Sequence, residues 1–230
     1  MAGPRKLSDH WRQLAAMLNH RGISLVFDVG ANTGQYVGYL RTGGYAGRVV
    51  SFEPQSAAYG KLMRTAAADA HWIVAPRCAL GAAPGRAEVN ISAESDMSSI
   101  LPFRSETTQF SPTSRIIGTE SVDVVPLDAA LGEYARPGDR MFLKIDTQGY
   151  ENAVLDGATE SLARLDGAQV ELSLVPLYQG EAEWRAIVDR LAAAGLDLAM
   201  VIPGYFDRHL NLMLQFDGIF LRSEAKQGSS

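Results

Sequence analysis

The stretch Leu25-Val26-Phe27-Asp28-Val29-Gly30-Ala31-Asn32-Thr33-Gly34-Gln35-Tyr36 restricts what this chain can fold into more than any other. An apolar run, broken only by an acid near its end, suits a strand buried on both faces of a parallel sheet. Gly30 and Gly34 then let the backbone turn sharply and approach a ligand closely. Tyr36, Val37, Tyr39 and Leu40 follow at helical spacings, so residues 35–41 read as a helix laid on that sheet. Such a strand-loop-helix junction offers a ligand the carboxyl end of the strand and the N-terminus of the helix, the usual cofactor position in open α/β sheets.

The rest of the chain extends this pattern. Residues 7–19 place Leu7, Trp11, Leu14, Ala15 and Leu18 on one helical face. Residues 48–53 form a second strand, again ending in an acid, Glu53, and Pro54 suits the first turn of a helix over 56–68. A short strand is expected at 71–75 and an alternating edge strand at 87–91. The polar segment 92–120 has too few periodic apolar residues for any element and reads as an insertion near the pocket. Strands at 122–126, 140–146, 168–175, 197–202 and 212–221 alternate with helices at 127–134, from Gly149 through Val154 and Leu155, and at 180–194, where Gly195 caps the helix. The expectation is one α/β domain over 23–222, preceded by a helical segment 1–22 and followed by a frayed polar tail 223–230.

Composition narrows the function classes. With 47% hydrophobic and 20% charged residues, the chain is an ordinary globular protein, neither disordered nor fibrous. A net charge of −5, spread without blocks, argues against a nucleic-acid surface. Cys78 is the single cysteine, which excludes an internal disulfide and a multi-cysteine metal site and suits a reducing compartment. The polar start lacks the apolar core of a signal peptide, and no apolar run approaches the ~18 residues of a membrane span. A cytoplasmic protein acting on a small molecule or glycan is expected, with no nucleic acid or integral membrane contact. Assembly into a homo-oligomer stays open.

Asp28, the Gly30–Gly34 turn and an acid 25 residues further on at Glu53 together form a nucleoside-binding signature, in which Glu53 can accept both ribose hydroxyls. The glycines do not follow GxGxxG. An acid at the first strand end would repel a pyrophosphate but attract the ammonium group of S-adenosylmethionine. The plainer alternative is that the glycines only shape a turn and Asp28 caps the helix.

Through Val26-Phe27-Asp28-Val29-Gly30-Ala31-Asn32-Thr33-Gly34-Gln35-Tyr36, Ser51-Phe52-Glu53-Pro54, Cys78-Ala79-Leu80-Gly81 and Phe142-Leu143-Lys144-Ile145-Asp146-Thr147-Gln148-Gly149-Tyr150-Glu151, the chain resembles the FkbM family of S-adenosylmethionine-dependent methyltransferases. The likeness continues through Val154-Leu155-Asp156-Gly157-Ala158, Glu171, Pro176-Leu177-Tyr178 and Asp217-Gly218-Ile219-Phe220, and so covers most of residues 24–222, with the helix before Ser24 and residues 92–119 poorly matched. The resemblance implies an α/β, Rossmann-like class I methyltransferase fold: about seven mostly parallel strands flanked by helices, the last strand antiparallel. It implies S-adenosyl-L-methionine as cofactor and O-methylation of a sugar, as glycolipid or glycoside, or of another secondary metabolite. It places cofactor-binding residues at Asp28, Gly30, Asn32, Thr33, Gly34, Tyr36, Glu53, Pro54, Cys78, Ala79, Asp146 and Gln148. Asp96, Ser98 and Ser99 fall where it puts cofactor- or acceptor-side residues, and a solvated loop is the bland alternative. Acceptor specificity is expected to differ in the helix before Ser24 and in 92–119.

Methyl transfer asks an enzyme to align the acceptor oxygen and relieve it of a proton. Asp146 at a strand end could touch the methionine portion of the cofactor or take that proton; its bland role is a helix N-terminal acid. Lys144, on the same strand face, is the second catalytic candidate and is expected to pair with Asp146 or a neighbouring acid. Glu171, an acid in an apolar strand, needs a partner, and Lys144 is the natural one. His209 beside Asp207 is a third catalytic candidate, set against a plain surface histidine. His10, His20 and His71 show no metal spacing, and Asp28, Asp146 and Asp156 lack the paired aspartates of a divalent site, so no metal is expected. An NAD-dependent oxidoreductase or epimerase, and a non-catalytic member that binds cofactor or a partner, are the competing readings.

Overall fold

The computed structural model describes residues 9–105 and 115–223. The chain opens with helix α1 (Asp9–His20), then alternates β1 (Leu25–Val29), α2 (Gln35–Thr42), β2 (Arg48–Phe52), α3 (Ser56–Ala66) and β3 (Trp72–Val74). A small sheet follows, built from β4 (Ala79–Leu80), β5 (Gly85–Ser92) and β6 (Ile116–Val125) in the order β4-β6-β5. Then come α4 (Leu127–Tyr134), β7 (Met141–Ile145), α5 (Glu151–Asp156), β8 (Gly167–Ser173), α6 (Trp184–Ala193) and β9 (Leu196–Pro203). A two-stranded hairpin, β10 (Phe206–Asp207) with β11 (Leu212–Met213), leads into β12 (Gln215–Arg222).

The main sheet has seven strands in the order β3-β2-β1-β7-β8-β12-β9, all parallel except β12, which runs antiparallel to both neighbours. This is the expected α/β arrangement. Its central strands are buried along their whole length, as their unbroken apolar runs require. Leu25, Phe27 and Val29 with Met141, Leu143 and Ile145 face a core closed by α4, α5 and α6. Val26 and Phe142 face a second core closed by α1, α2 and α3, so the N-terminal helix packs on the sheet through Leu14, Ala15 and Leu18. Among the described residues no helix is long and apolar enough to cross a membrane.

Several expectations differ from the structure, among them that the helix expected from Gly149 begins at Glu151. Residues 116–121, read as loop, belong to β6, which pairs with β5 along the length of β5. Most of β6 is exposed, so no apolar period marked it. The run 212–221 is two strands: the Leu214 N–H turns to the Tyr205 carbonyl at 2.8 Å and its carbonyl accepts from Leu174 at 2.8 Å, which breaks the ladder. The helix expected over 180–194 starts only at Trp184, because the Glu181 carboxylate accepts the N–H groups of Leu177 and Tyr178 at 2.7 and 3.1 Å and holds a turn there. Of the expected tail, 224–230 lies outside the described residues, as do 1–8 and 106–114.

Two turns at the carboxyl edge admit only glycine. Gly30 has φ +74°, and a Cβ there would lie 1.8 Å from the Asp146 carbonyl oxygen. Gly34 has φ +95°, and its Cβ would meet the Trp72 ring at 2.5 Å. A Gly30→Ala variant is therefore expected to lose at least about 1–3 kcal/mol from backbone strain alone, with the β1–β7 edge forced apart as well. Urea unfolding of the two proteins measures this.

Candidate active site

On the sheet face that carries α1, α2 and α3, the strands change character toward their carboxyl ends. Val26, Val49 and Phe142 are apolar, but the next residues on the same face are Asp28, Ser51 and Lys144. The register makes these three neighbours: Ser51 lies opposite Asp28, Asp28 opposite Lys144 and Lys144 opposite Gln169. Trp72 Nε1 donates to Ser51 Oγ at 2.9 Å, and Ser51 Oγ donates to Asp28 Oδ2 at 2.9 Å. Asp28 Oδ1 then sits 3.2 Å from Lys144 Nζ, whose other partners are Asp146 Oδ2 at 3.4 Å and the Gly30 carbonyl at 3.0 Å. Burial by itself would pull the Lys144 pKa down, yet the Asp146 and Asp28 carboxylates hold it above its ordinary value, so the ammonium stays charged.

A cavity opens above this row. Its floor is the Gly30-Ala31-Asn32 turn and Asp146; Glu53, Pro54 and Gln55 form one wall. Glu53 is nearly buried and accepts the N–H of Asn32 at 2.7 Å and of Gln55 at 2.8 Å. Burial pushes its pKa up to about 7 against the pull of those two N–H groups. Residues 95–100 contribute to the lining, and the segment 95–105 is tied down by Gln55 Nε2 to the Ser95 carbonyl (2.9 Å), Ser99 Oγ to the Gln148 carbonyl (2.6 Å) and a stacked Phe103–Tyr178 pair. Trp11 and Tyr39, stacked with ring centres 4.8 Å apart, line it together with Tyr36.

At its far end the cavity collects acids. Because β12 is antiparallel, its first residues reach the carboxyl edge of the parallel strands, and Asp217 falls opposite Glu171. Gln148, held at φ +56°, donates from Nε2 to both Asp146 Oδ1 (2.9 Å) and Glu171 Oε2 (2.7 Å). Gln215 Nε2 also donates to Glu171 Oε2, at 2.9 Å. The expected Lys144–Glu171 pair is therefore corrected: Lys144 is engaged by Asp28 and Asp146, and two glutamine amides serve Glu171 instead. Burial, then the Asp146, Asp217 and Glu151 charges, raise the Glu171 pKa well above the carboxylate range. Burial and Asp146 push Asp217 up to about 6.

Of the residues expected to bind or react, Gly30, Asn32, Tyr36, Glu53, Pro54, Cys78, Ala79, Asp96, Ser98, Ser99, Lys144, Asp146 and Gln148 line this one cavity. Four do not. Asp28 is fully buried beneath it and satisfied by Lys144 and Ser51, so it is out of reach of a ligand's ammonium group. Thr33 and Gly34 turn toward Gln35 and Trp72. His209 is exposed on the β10–β11 turn, and Asp207 spends its carboxylate on the N–H groups of His209 and Leu210 rather than on the imidazole. Trp11, Tyr39, Gln55, Gln169 and Asp217 were not anticipated as lining residues. The signal for Gln169 and Asp217 was present: polar residues at alternating positions in otherwise apolar strands.

The family model for the methyltransferase FkbM domain matches residues 28–198. The chain belongs to this family. No curated protein matches it. Among solved structures, TehB from Haemophilus influenzae is similar with TM-score 0.52 at 9% identity, over 96% of this chain and 64% of that one. The METTL16 MTase domain is similar with TM-score 0.50 at 8% identity, over 94% of this chain and 66% of that one. Both likenesses are of fold.

Membership makes this FkbM-family protein an S-adenosylmethionine-dependent methyltransferase, and the cavity fits that co-substrate. Five carboxylates and one ammonium line it, a balance that favours a cationic ligand. Asn32, Tyr36 and Gln169 line the cavity, and each carries a buried polar atom, Oδ1, OH and Oε1 respectively, without a hydrogen-bond partner among the described residues. A pyrophosphate finds no cradle in the 30–34 loop. The Gly30 and Ala31 N–H groups donate to the Phe52 carbonyl, that of Asn32 to Glu53, that of Thr33 to Gln35 and that of Gly34 to the Ala31 carbonyl. The NAD reading fails on that geometry as well as on the family match. Among the described residues no group of three His, Cys, Asp or Glu is arranged to hold a metal ion.

The Asp28–Lys144 pair supplies a stability test. Lys144→Ala leaves Asp28 charged and buried, and is expected to cost about 3–5 kcal/mol in urea unfolding. Lys144→Met combined with Asp28→Asn removes both charges and is expected to recover most of that loss.

Proposed function

We propose that the protein is an O-methyltransferase that methylates a hydroxyl of a sugar, as glycolipid or glycoside, or of another secondary metabolite. The observation that carries this reading is the group of carboxylates Asp146, Glu171 and Asp217 beside a stacked aromatic wall of Trp11 and Tyr39. A neutral hydroxyl has to lose its proton as it is methylated, and a carboxylate can serve as the base that takes it. Flat apolar faces of a sugar ring suit aromatic rings, and no lining cation is left to hold a phosphate or carboxylate, since Lys144 is engaged by two acids.

When bound, the co-substrate supplies a methyl group already activated on a sulfonium. The chain's own residues then have to bind, align and deprotonate. Glu53 accepts the ribose hydroxyls, with Pro54, Cys78, Ala79, Asp96 and Ser98 around the nucleoside. Burial pushes the Cys78 thiol up to about 11, so it stays protonated and acts as an apolar wall. Gly30 and Asn32 bring backbone close to the methionine portion, with Asp146 as its acid. Lys144 fixes the position of Asp146 from below. Residues 23–222 make the methyltransferase domain in this reading, with 92–120 as its substrate-side insertion. A cytoplasmic location keeps the single thiol reduced.

Mass spectrometry of extracts from cells lacking the gene tests the function. A metabolite that lacks one methyl group is expected to accumulate, and its O-methylated form to disappear; an unchanged metabolite profile would count against the reading. Calorimetric titration with S-adenosylhomocysteine tests the site. Glu53→Ala is expected to weaken binding by about 1–3 kcal/mol, the scale of hydrogen bonds to a charged group. The ionised form of Glu53 is the ribose acceptor and its pKa lies at about 7, so affinity is expected to hold above that pH and to fall as pH drops through it. The limiting slope is about tenfold per pH unit, and Glu53→Gln is expected to abolish it.

A further inference from the structure

We infer that Glu171, rather than Asp146 or His209, is the general base that takes the proton of the acceptor hydroxyl. The inference rests on the O-methyltransferase reading and assigns its proton-transfer step. Three carboxylates stand at the far end of the cavity, and they are not equivalent. Asp146 has both oxygens occupied: Oδ2 faces Lys144 Nζ at 3.4 Å and Oδ1 accepts from Gln148 at 2.9 Å. Asp217 faces the amide of Gln169. Glu171 takes both of its hydrogen bonds, from Gln148 and Gln215, on Oε2, so Oε1 accepts none from the described residues while the side chain lines the cavity. One oxygen is thus fixed in place and the other is presented to a ligand.

Gln148 makes this asymmetry durable. Its amide nitrogen bridges Asp146 and Glu171, the Tyr178 hydroxyl lies 2.9 Å from its Oε1, and its backbone carbonyl accepts from Ser99 Oγ at 2.6 Å. A left-handed backbone at a non-glycine residue is the strain this network sustains. The result holds two acids side by side with separate duties, Asp146 on the cofactor side and Glu171 on the acceptor side. The charged and titratable groups packed around Glu171 are Asp146 and Lys144 from β7, Asp217 from β12, Glu151 from α5 and Tyr178 from the segment after β8. The acids and burial raise its proton affinity, which strengthens it as a base.

In the step itself, the acceptor oxygen uses a lone pair to form the new O–CH3 bond while its O–H proton passes to Glu171 Oε1. The S–CH3 bond of the methyl donor breaks with its electron pair left on sulfur, so the positive charge there is discharged and the proton on Glu171 balances it. Gln148 and Gln215 hold Glu171 through their amide hydrogens and act as positioning residues, while the Asp217 charge raises its proton affinity.

The experiment follows methyl-labelled S-adenosylmethionine into an extract of the source cells lacking the gene, with wild-type protein, Glu171→Gln and Asp217→Asn. Gln can still accept the two amide hydrogens, so Glu171→Gln is expected to keep its thermal unfolding temperature and its calorimetric affinity for S-adenosylhomocysteine, while labelling falls by about 10²–10⁴-fold. In wild type, labelling is expected to rise with pH as Glu171 loses its proton, and in Asp217→Asn that rise is expected to move to lower pH, because a neighbouring negative charge has gone. If Glu171→Gln melts early, Glu171→Asp is the second variant, expected to lose rate but keep the pH-dependent rise. Wild-type labelling in Glu171→Gln, a parallel loss of S-adenosylhomocysteine binding, or an unmoved pH profile in Asp217→Asn would each overturn the inference. Absence of any labelled product with wild-type protein would instead overturn the O-methyltransferase reading and this inference with it.

Discussion

A lysine ammonium buried among strand backbones is the constraint around which this site is arranged. Lys144 is 4% exposed and stands on a central strand, where an unpaired charge could not remain. Asp28 on the adjacent strand neutralises it from below, Asp146 from the edge, and the Gly30 carbonyl takes a further hydrogen. The ring of Tyr36 covers it at 5.5 Å from Nζ. Because each of these groups belongs to a different turn or strand, the ion pair fixes the β1 turn, the end of β7 and the start of α2 relative to one another. Removing one partner strands the others in a low-dielectric interior, which is why the cluster holds its geometry.

The same face then passes from a closed ion pair to an open acidic cavity within one register step. Sheet topology makes this possible. Antiparallel insertion of β12 delivers the beginning of that strand to the edge where the parallel strands end, so Asp217 and Gln215 meet Glu171 and Asp146. Burial, and then the proximity of like charges, raises the proton affinity of Glu171 and Asp217, and the Gln148 amide bridges Asp146 and Glu171. The segment 95–105 is fastened by hydrogen bonds to backbone carbonyls on both sides, and Asp96 is the one charged residue among those it contributes to the cavity lining.

Legibility followed the physical origin of each feature. The parallel strands announced themselves because strands buried on two faces must be continuously apolar, and the Gly30 turn because only glycine survives 1.8 Å from a carbonyl. Strand β6 stayed hidden because an exposed ladder needs hydrogen bonds but no apolar side chains. Asp28 looked like a ligand for a cation and proved to be the counter-ion of a lysine 116 positions away. His209 and Asp207 are neighbours in the chain, which says nothing of whether a carboxylate points at an imidazole or, as here, at backbone N–H groups.

What the amino-acid order determined alone is whatever depends on local backbone and on burial pattern: the alternation of strands and helices, the glycine turn, the acid that ends β2, and the motifs by which the chain is placed among the FkbM methyltransferases. What only the tertiary structure decided is which charges meet. Pairing between Lys144 and Asp28 depends on the register between β1 and β7, the meeting of Asp217 with Glu171 on the direction of β12, and the arrival of Trp11 at the cavity wall on the packing of the first helix against Tyr36 and Tyr39. Electrostatic partners are set by distance in space, and a chain reveals spatial distance only once its sheet has closed.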